Sequence, residues 1–244
     1  MKKIIFLILL LFYCGFAMPQ QEKSSCKENP KILIGLSVGP TIDWFAPTTD
    51  AISRKRAKVG LTAGVNADFS VTKKSQLYFS TGVLIRYLQG DLAFPYQYSI
   101  FEDDPTPVPY STVRTYQTTY VSVPTGIKLR TKPLGKCVLL GKLGLYHNFN
   151  LGGDRYDSFE LPNVVDPQFF VSTKKVKNND AAFFAESAYL GIGLEYLVGR
   201  SRVYANVDYN CQFNYFKNTA INEITDERFK SIVHSLHIVI GFYF

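Results

Sequence analysis

Apolar and polar residues alternate with a period of two along most of this chain. In Ile32–Trp44 the even positions are apolar except for Pro40, and in Val59–Val71 the odd positions are apolar. Val203–Tyr215 and Leu236–Phe244 repeat the pattern. Successive side chains of a β-strand point to opposite faces, so this period predicts strands that have one apolar face and one more polar face.

Four further segments follow the same alternation with more exceptions: Leu77–Gln89, Thr119–Thr131, Val138–Leu151 and Phe184–Val198. All are longer than the ~5–6 residues of an ordinary strand, and ~9–11 residues are enough for a tilted strand to cross a membrane. Tight turns at 73–75, 133–136 and 199–201 alternate with long loops at 46–58, 91–118, 152–183 and 217–231. The pattern predicts an all-β fold, an eight-stranded antiparallel transmembrane β-barrel with up-and-down meander connections.

The N-terminus has the features of a secretory leader. Two lysines precede the apolar run Ile4–Tyr13, and the small residues Gly15 and Ala17 follow it. This order predicts a signal peptide over residues 1–17. The run is too short to be a membrane-spanning helix, which needs about 20 apolar residues.

Beyond the leader, we predict a periplasmic N-terminal segment over residues 18–30 and an outer-membrane β-barrel over residues 31–244. An even number of strands puts both termini on the periplasmic side, where the tight turns lie. The cysteines left after cleavage are odd in number and lack metal-ligand spacing, so neither a metal nor a cofactor is expected.

Composition excludes several classes of protein. Aromatic residues make up 15% of the chain and charged residues 19%, which argues against a disordered protein and against a coiled coil. The formal net charge of +7 includes two leader lysines, and the remaining charges are dispersed. No nucleic-acid partner is therefore expected.

Alternation alone leaves open whether the apolar face points to lipid or lines a soluble, periplasmic lipid-binding barrel. The polar face is rich in glycine, as a narrow lumen requires, and it carries charges of both signs. We predict a lumen charge network of Asp43, Asp68, Arg86, Lys128, Arg130, Lys142, Glu195 and Asp208. Buried charges must be paired, so such a network favours a filled lumen over a narrow channel.

Aromatic residues gather at both ends of the apolar face, as in the girdles of a membrane barrel. The predicted loop-side girdle is Trp44, Tyr87, Phe149, Phe213 and Tyr215, and the predicted turn-side girdle is Phe69, Phe79, Tyr196, Phe242 and Phe244. The chain stops inside its last strand on Phe244, which we interpret as a C-terminal signal to the barrel-assembly machinery. These features favour a lipid-facing barrel.

Three short motifs resemble the PorT-like outer-membrane β-barrel family of Bacteroidota, which shares its architecture with OmpA- and OmpX-type barrels. They are the aromatic-to-proline stretch Tyr120–Pro124, the Gly-aliphatic-Gly-x-Glu-Tyr stretch Gly191–Tyr196, and the end Gly241–Phe244. The resemblance implies the barrel fold, the outer membrane, and a structural, interaction or secretion-accessory role. The expected surroundings are outer-membrane lipid and lipopolysaccharide.

The remaining candidate chemistry lies in three histidines and two loops. Alternation places His147 and His234 towards lipid and His237 in the lumen, with Glu186 near the level of His147. A lipid A-modifying enzyme would need a nucleophile beside such a histidine, and the sequence offers none at an obvious register, so no enzyme is expected. The aromatic-rich loops 91–118 and 152–183 are candidate contact sites for a protein partner.

Overall fold

The computed structural model describes residues 31–50, 52–71, 76–101, 104–160, 173–199, 201–217 and 228–244, with side chains described for these except 95–111, 159–160 and 173–174. The predicted signal peptide 1–17, the segment 18–30 and the turn at 73–75 lie outside this part of the chain. The described strands are β1 (Ile32–Pro47), β2 (Ser53–Ser70), β3 (Leu77–Phe101), β4 (Asp104–Arg130), β5 (Cys137–Glu160), β6 (Thr173–Lys177), β7 (Phe184–Val198), β8 (Ser201–Gln212) and β9 (Ser231–Tyr243). Within the described residues no helix is long and apolar enough to cross a membrane.

Eight of these strands close into an antiparallel barrel, which confirms the predicted fold class. Strands that follow each other along the chain pair with each other around the barrel, except that β5 pairs with β7. The pair β1–β9 joins the first strand to the last and closes the barrel. Among the described strands, the short strand β6 pairs only with β5, at residues 154–158. We call the rim with the brief β4–β5 and β7–β8 connections the turn side, and the opposite rim the loop side.

Exposure alternates along the strands as the sequence predicts. On β7, Leu190 and Ile192 are 62% and 71% exposed, whereas Glu195 is fully buried. The outer face of the barrel is therefore apolar and the lumen is polar. A soluble barrel that binds lipid inside would require the opposite arrangement, so that alternative is wrong.

The strands extend further than predicted on the loop side. Most of the predicted loop 91–118 is a hairpin, because β3 continues to Phe101 and β4 starts at Asp104. The first part of the predicted loop 152–183 continues β5 and pairs with β4. These pairs, with β6, form a sheet beyond the barrel that we call the loop-side extension.

Candidate functional site

The turn-side half of the lumen is occupied by ion pairs around Asp68 of β2. Its Oδ2 lies 2.7 Å from Lys128 Nζ and 2.7 Å from Arg130 Nη2, both on β4. Its Oδ1 accepts a 2.6 Å hydrogen bond from Ser80 Oγ. Asp68 is fully buried and both cations are nearly so. A buried charge is tolerated only when it is paired, so these three ionised groups depend on one another.

Glu195 of β7 extends this network across the lumen. Its Oε1 accepts a 2.8 Å hydrogen bond from Arg130 Nε, and its Oε2 accepts a 3.3 Å bond from Arg202 Nη1. Lys128 also donates to the Tyr243 hydroxyl at 2.6 Å. The turn-side lumen is therefore crossed by bonds that join β2, β4, β7, β8 and β9.

Two more ion pairs lie nearer the loop side. Lys142 Nζ is 2.7 Å from Asp208 Oδ2, and Arg86 Nη2 is 3.2 Å from Asp43 Oδ1. With these pairs, each of the eight predicted lumen residues forms an ion pair with another member of the set. A cavity of about 30 Å³ remains among Lys142, Asp208 and their neighbours. Such a space holds a water molecule or two and no organic ligand.

Aromatic side chains close the loop-side mouth of the lumen. This mouth cluster consists of Phe45, Ile52, Leu88, Leu92, Phe94, Tyr116, Tyr120, Ala181, Tyr215, Phe216, Phe229 and Val233. The Phe45 ring packs edge-on against the rings of Tyr215 and Tyr116, at 4.7 and 5.9 Å. A Cβ at Gly90 would collide with the Phe45 ring, so only glycine allows the ring to lie across the lumen.

Tyr215 corrects one girdle prediction. Alternation predicts that its side chain faces lipid, but the side chain is fully buried in the mouth cluster. Its hydroxyl lies 2.7 Å from Thr118 Oγ1, within hydrogen-bond distance. Strand β8 ends at Gln212, and beyond it the alternation stops because Tyr215 and Phe216 are both buried. Burial raises the pKa of Tyr215 well above its ordinary value, so its hydroxyl remains neutral.

The other predicted girdle residues lie on the outer face. Phe69, Phe79, Tyr196, Phe242 and Phe244 are exposed at the turn side, Phe149 and Phe213 are exposed at the loop side, and Trp44 and Tyr87 are half-buried there. Phe183 and Phe184, which the sequence analysis did not assign to a girdle, are exposed beside Phe149.

A polar cluster stands on the lipid-facing side next to these rings. His147 Nε2 lies 3.0 Å from Thr125 Oγ1, and His147 Nδ1 lies 3.4 Å from Glu186 Oε1. The His147 ring is parallel to that of Phe184, with centroids 6.4 Å apart. Sequence reasoning anticipated Glu186 at this level but missed Thr125, whose position depends on the β4–β5 register.

The other two histidines have different surroundings. His234 also faces lipid, where it stacks on Trp44 and its Nδ1 lies 2.7 Å from the Tyr209 hydroxyl. His237 is buried in the lumen, as predicted, with its ring 6.2 Å from that of Tyr146. Among the described residues, no group of three His, Cys, Asp or Glu side chains is placed to bind a metal ion.

An ion pair holds the loop-side extension onto the barrel mouth. Arg155 Nη1 of β5 lies 2.6 Å from Asp180 Oδ2, and Arg155 Nε lies 2.9 Å from Asp157 Oδ1 of the same strand. The Tyr116 hydroxyl of the mouth cluster donates to Asp180 at 3.2 Å. The extension and the mouth cluster are therefore one packed unit.

Comparison with known proteins agrees with this architecture. A sequence model described as an outer membrane protein beta-barrel domain matches residues 20–244. A search of curated proteins finds no match.

Solved outer-membrane barrels are similar at low identity. Neisserial surface protein A is 8% identical with a TM-score of 0.43, over 86% of this chain and 95% of that one. The attachment invasion locus protein of Yersinia pestis is 14% identical with a TM-score of 0.34, over 88% and 100%. OprG from Pseudomonas aeruginosa is 13% identical with a TM-score of 0.31, over 89% and 97%. Likeness at this level bears on neither substrate nor partner.

Proposed function

Since the chain belongs to the outer membrane protein beta-barrel domain family, we propose that it is a non-conducting barrel that anchors a contact surface for a protein partner. In this proposal residues 1–17 are a signal peptide, both termini face the periplasm, and the loop-side extension faces outward. Lipopolysaccharide and outer-membrane lipid surround the barrel, and Phe244 serves the barrel-assembly machinery.

The observation that carries the non-conducting role is the closure of the lumen at two levels. Ion pairs in the turn-side half join strands that are not neighbours in the barrel, such as Arg130 of β4 and Glu195 of β7. Lys128 of β4 donates to Tyr243 of β9 on the opposite side. The mouth cluster then fills the loop-side half with rings such as Phe45. A hydrated ion would have to displace both layers.

The loop-side extension supports a contact role. Among the strands that the structure describes, its edge strand β6 pairs only with β5, so within this part of the chain one row of backbone groups is available to another chain. Lys175 and Lys177 are exposed on this edge, where lysines discourage indiscriminate strand pairing. A partner with an acidic surface fits this edge best, and the PorT-like resemblance directs the search to proteins of the secretion apparatus.

Conductance tests the closed lumen. The folded barrel, identified by its mobility shift between unboiled and boiled samples in SDS, is reconstituted into planar bilayers beside a general porin as positive control. We expect the same conductance as in a protein-free bilayer. Stable unit steps from the wild-type barrel would favour the narrow-channel alternative and contradict a non-conducting role.

Crosslinking tests the contact surface. A photoreactive residue replaces Lys175 on the exposed edge of β6, and a matched control replaces Lys136 in the exposed β4–β5 turn at the opposite rim. We expect one defined protein adduct in cells from position 175 and none of that mass from position 136. Equal adducts from both rims, or none from either, would contradict a loop-side partner.

A further inference from the structure

The closed lumen does not explain the lipid-facing cluster of Thr125, His147 and Glu186. Its neighbours on the same face are the exposed apolar residues Ile127 and Leu145, as expected of a surface in contact with acyl chains. A carboxylate beside a histidine on a lipid-facing surface costs stability, and it is a reason to look for a function there. Among the described residues, the partners of the other lipid-facing histidine, His234, are aromatic, namely Trp44 and Tyr209.

The geometry of the cluster is that of a nucleophile, a base and an orienting carboxylate. The Thr125 hydroxyl lies within hydrogen-bond distance of one imidazole nitrogen, and the Glu186 carboxylate lies 3.4 Å from the other. A base held between an alcohol and a carboxylate recurs on unrelated folds that carry out acyl transfer. We propose that this cluster hydrolyses acyl esters of membrane lipids, an activity beyond the anchoring role proposed above.

Register explains how three strands assemble the site. His147 of β5 lies directly opposite Glu186 of β7, and Thr125 of β4 lies opposite Leu145, two residues from His147 on the same face of β5. The rigid barrel therefore fixes the relative positions of all three side chains. Sites built on strands hold such geometry better than sites on loops.

The position of the cluster selects the substrate class. Phe149, Phe183 and Phe184 form the neighbouring part of the loop-side girdle, and aromatic girdles lie at the level of lipid headgroups. Ester bonds link headgroups to acyl chains just inside this level. His147 lies two residues from Phe149 on the same face of β5, so an ester carbonyl at this depth reaches the imidazole end of the cluster. Thr125 lies deeper, towards the acyl chains, within one hydrogen bond of the imidazole.

The reaction balances with water as the only co-reactant. Thr125 Oγ1 attacks the ester carbonyl and loses its proton to His147 Nε2, and the bond from the carbonyl carbon to the leaving oxygen breaks as His147 returns the proton to that oxygen. Water, deprotonated by His147, then attacks the acyl carbonyl. The bond from that carbon to Thr125 Oγ1 breaks as His147 returns the proton to Oγ1, and the acyl chain leaves as a fatty acid. Glu186 is a positioning residue that orients the ring and stabilises the imidazolium.

Thr81 supplies a hydrogen-bond donor for the developing oxyanion. It is the register partner of Thr125 on β3, so its side chain stands on the same face. Opposite residues of antiparallel strands have Cβ atoms ~4.5–5.5 Å apart, which puts both hydroxyls in reach of one carbonyl group. Stabilisation of the oxyanion is a major component of acyl-transfer catalysis.

Lipid hydrolysis in defined vesicles tests the proposal. The folded barrel is reconstituted into phosphatidylethanolamine–phosphatidylglycerol vesicles, into the same vesicles doped with lipid A, and into ether-linked analogues, and fatty acid release is measured by mass spectrometry. We expect release from one or both ester-containing sets and none from the ether lipids. The first two sets distinguish glycerophospholipid from lipid A as the source of the ester.

Variants separate catalysis from structure. Thr125→Val and His147→Gln should reduce the rate by about 10²–10⁴-fold, while Thr125→Ser keeps a hydroxyl and retains activity. Glu186→Gln removes the charge and should lose activity, whereas Glu186→Asp keeps the charge and should retain part of it. A purely structural role of the carboxylate would not separate the two variants in this way.

The matched control is His234→Asn, which removes the other lipid-facing histidine, and its rate should be unchanged. The proposal fails if the wild-type barrel, shown to be folded by its mobility shift, releases no more fatty acid than empty vesicles. It also fails if Thr125→Val is as active as wild type. Neither result affects the conductance or crosslinking outcomes, so the anchoring role is tested separately.

Discussion

Asp68→Asn is the substitution that most directly probes the lumen network. It keeps the size of the side chain but removes the charge that faces Lys128 and Arg130, each 2.7 Å away. Breaking a buried ion pair costs about 3–5 kcal/mol, because the partner is left as an uncompensated buried charge. Arg130 keeps Glu195 as a second partner, so we expect a loss at the lower end, about 3 kcal/mol.

A loss of this size lowers the equilibrium constant for folding about 100-fold, since 1.4 kcal/mol corresponds to a factor of ten. Urea unfolding from lipid vesicles measures it, with the fluorescence of Trp44, the single tryptophan, as the signal. Asp154→Asn is the matched control, because Asp154 pairs with an exposed Lys175 and its loss should not change the midpoint measurably.

A second substitution checks the cause of the loss. Lys128→Met in the Asp68→Asn background removes one of the two uncompensated cations and should recover part of the lost stability. Two outcomes would show that the carboxylate does not stabilise the lumen by charge pairing. One is a loss of less than about 1 kcal/mol in the free energy of unfolding of Asp68→Asn. The other is a double variant with Lys128→Met that is less stable than Asp68→Asn alone.

Three further outcomes are expected. Phe45→Ala should cost about 3–5 kcal/mol in the same unfolding assay, because the ring is fully buried in the mouth cluster; a cost below about 1 kcal/mol would contradict its packing role. Gly241→Val should cost about 1–3 kcal/mol, because a Cβ there collides with the Tyr204 ring; an unchanged midpoint would contradict that contact. Deletion of Phe244 should leave refolding into vesicles intact but lower the amount of barrel in the outer membrane on immunoblots, and equal loss in both assays would show a purely structural role.

The two faces of each strand were predictable from the sequence because one contacts apolar lipid and the other contacts a polar lumen. Each strand must present apolar residues to one and polar residues to the other, so period-two alternation specifies both the element and its orientation. Ile192 and Glu195 illustrate this, since they lie three positions apart on β7 and differ completely in exposure. The eight lumen charges could be assigned for the same reason.

The pattern stops being informative where the membrane ends. Strand pairs in the loop-side extension are in contact with water on at least one side, so neither face has to be apolar, and the stretch 91–118 was predicted as a loop. The β3–β4 ladder there also contains register shifts, between Phe94 and Gln97 and between Ser99 and Phe101. Tyr215 was misplaced for a related reason, because alternation was extended past the end of β8.

The contact between Thr125 and His147 could not be predicted from alternation. Alternation shows which face of a strand a residue lies on, but it does not show which residue of the neighbouring strand lies opposite. The sequence assigned His147 to the lipid-facing side with Glu186 near its level. Which hydroxyl lies beside the imidazole depends on the register across the β4–β5 turn. Three strands contribute to this cluster, so an error of two residues in one register would separate the nucleophile from the base.

Carboxylates in this barrel occupy two opposite environments, and only one of them is explained by stability. Asp68 and Glu195 lie in the lumen, where each binds two cations and joins strands that are distant in sequence. Glu186 faces lipid, where its partner in the ion pair is a histidine that is charged only when protonated. A charge in that place lowers stability or at best leaves it unchanged. A residue that departs from the pattern of its face without a gain in stability is expected at a functional site, which is why the cluster around His147, and not the larger lumen network, is the stronger candidate for chemistry.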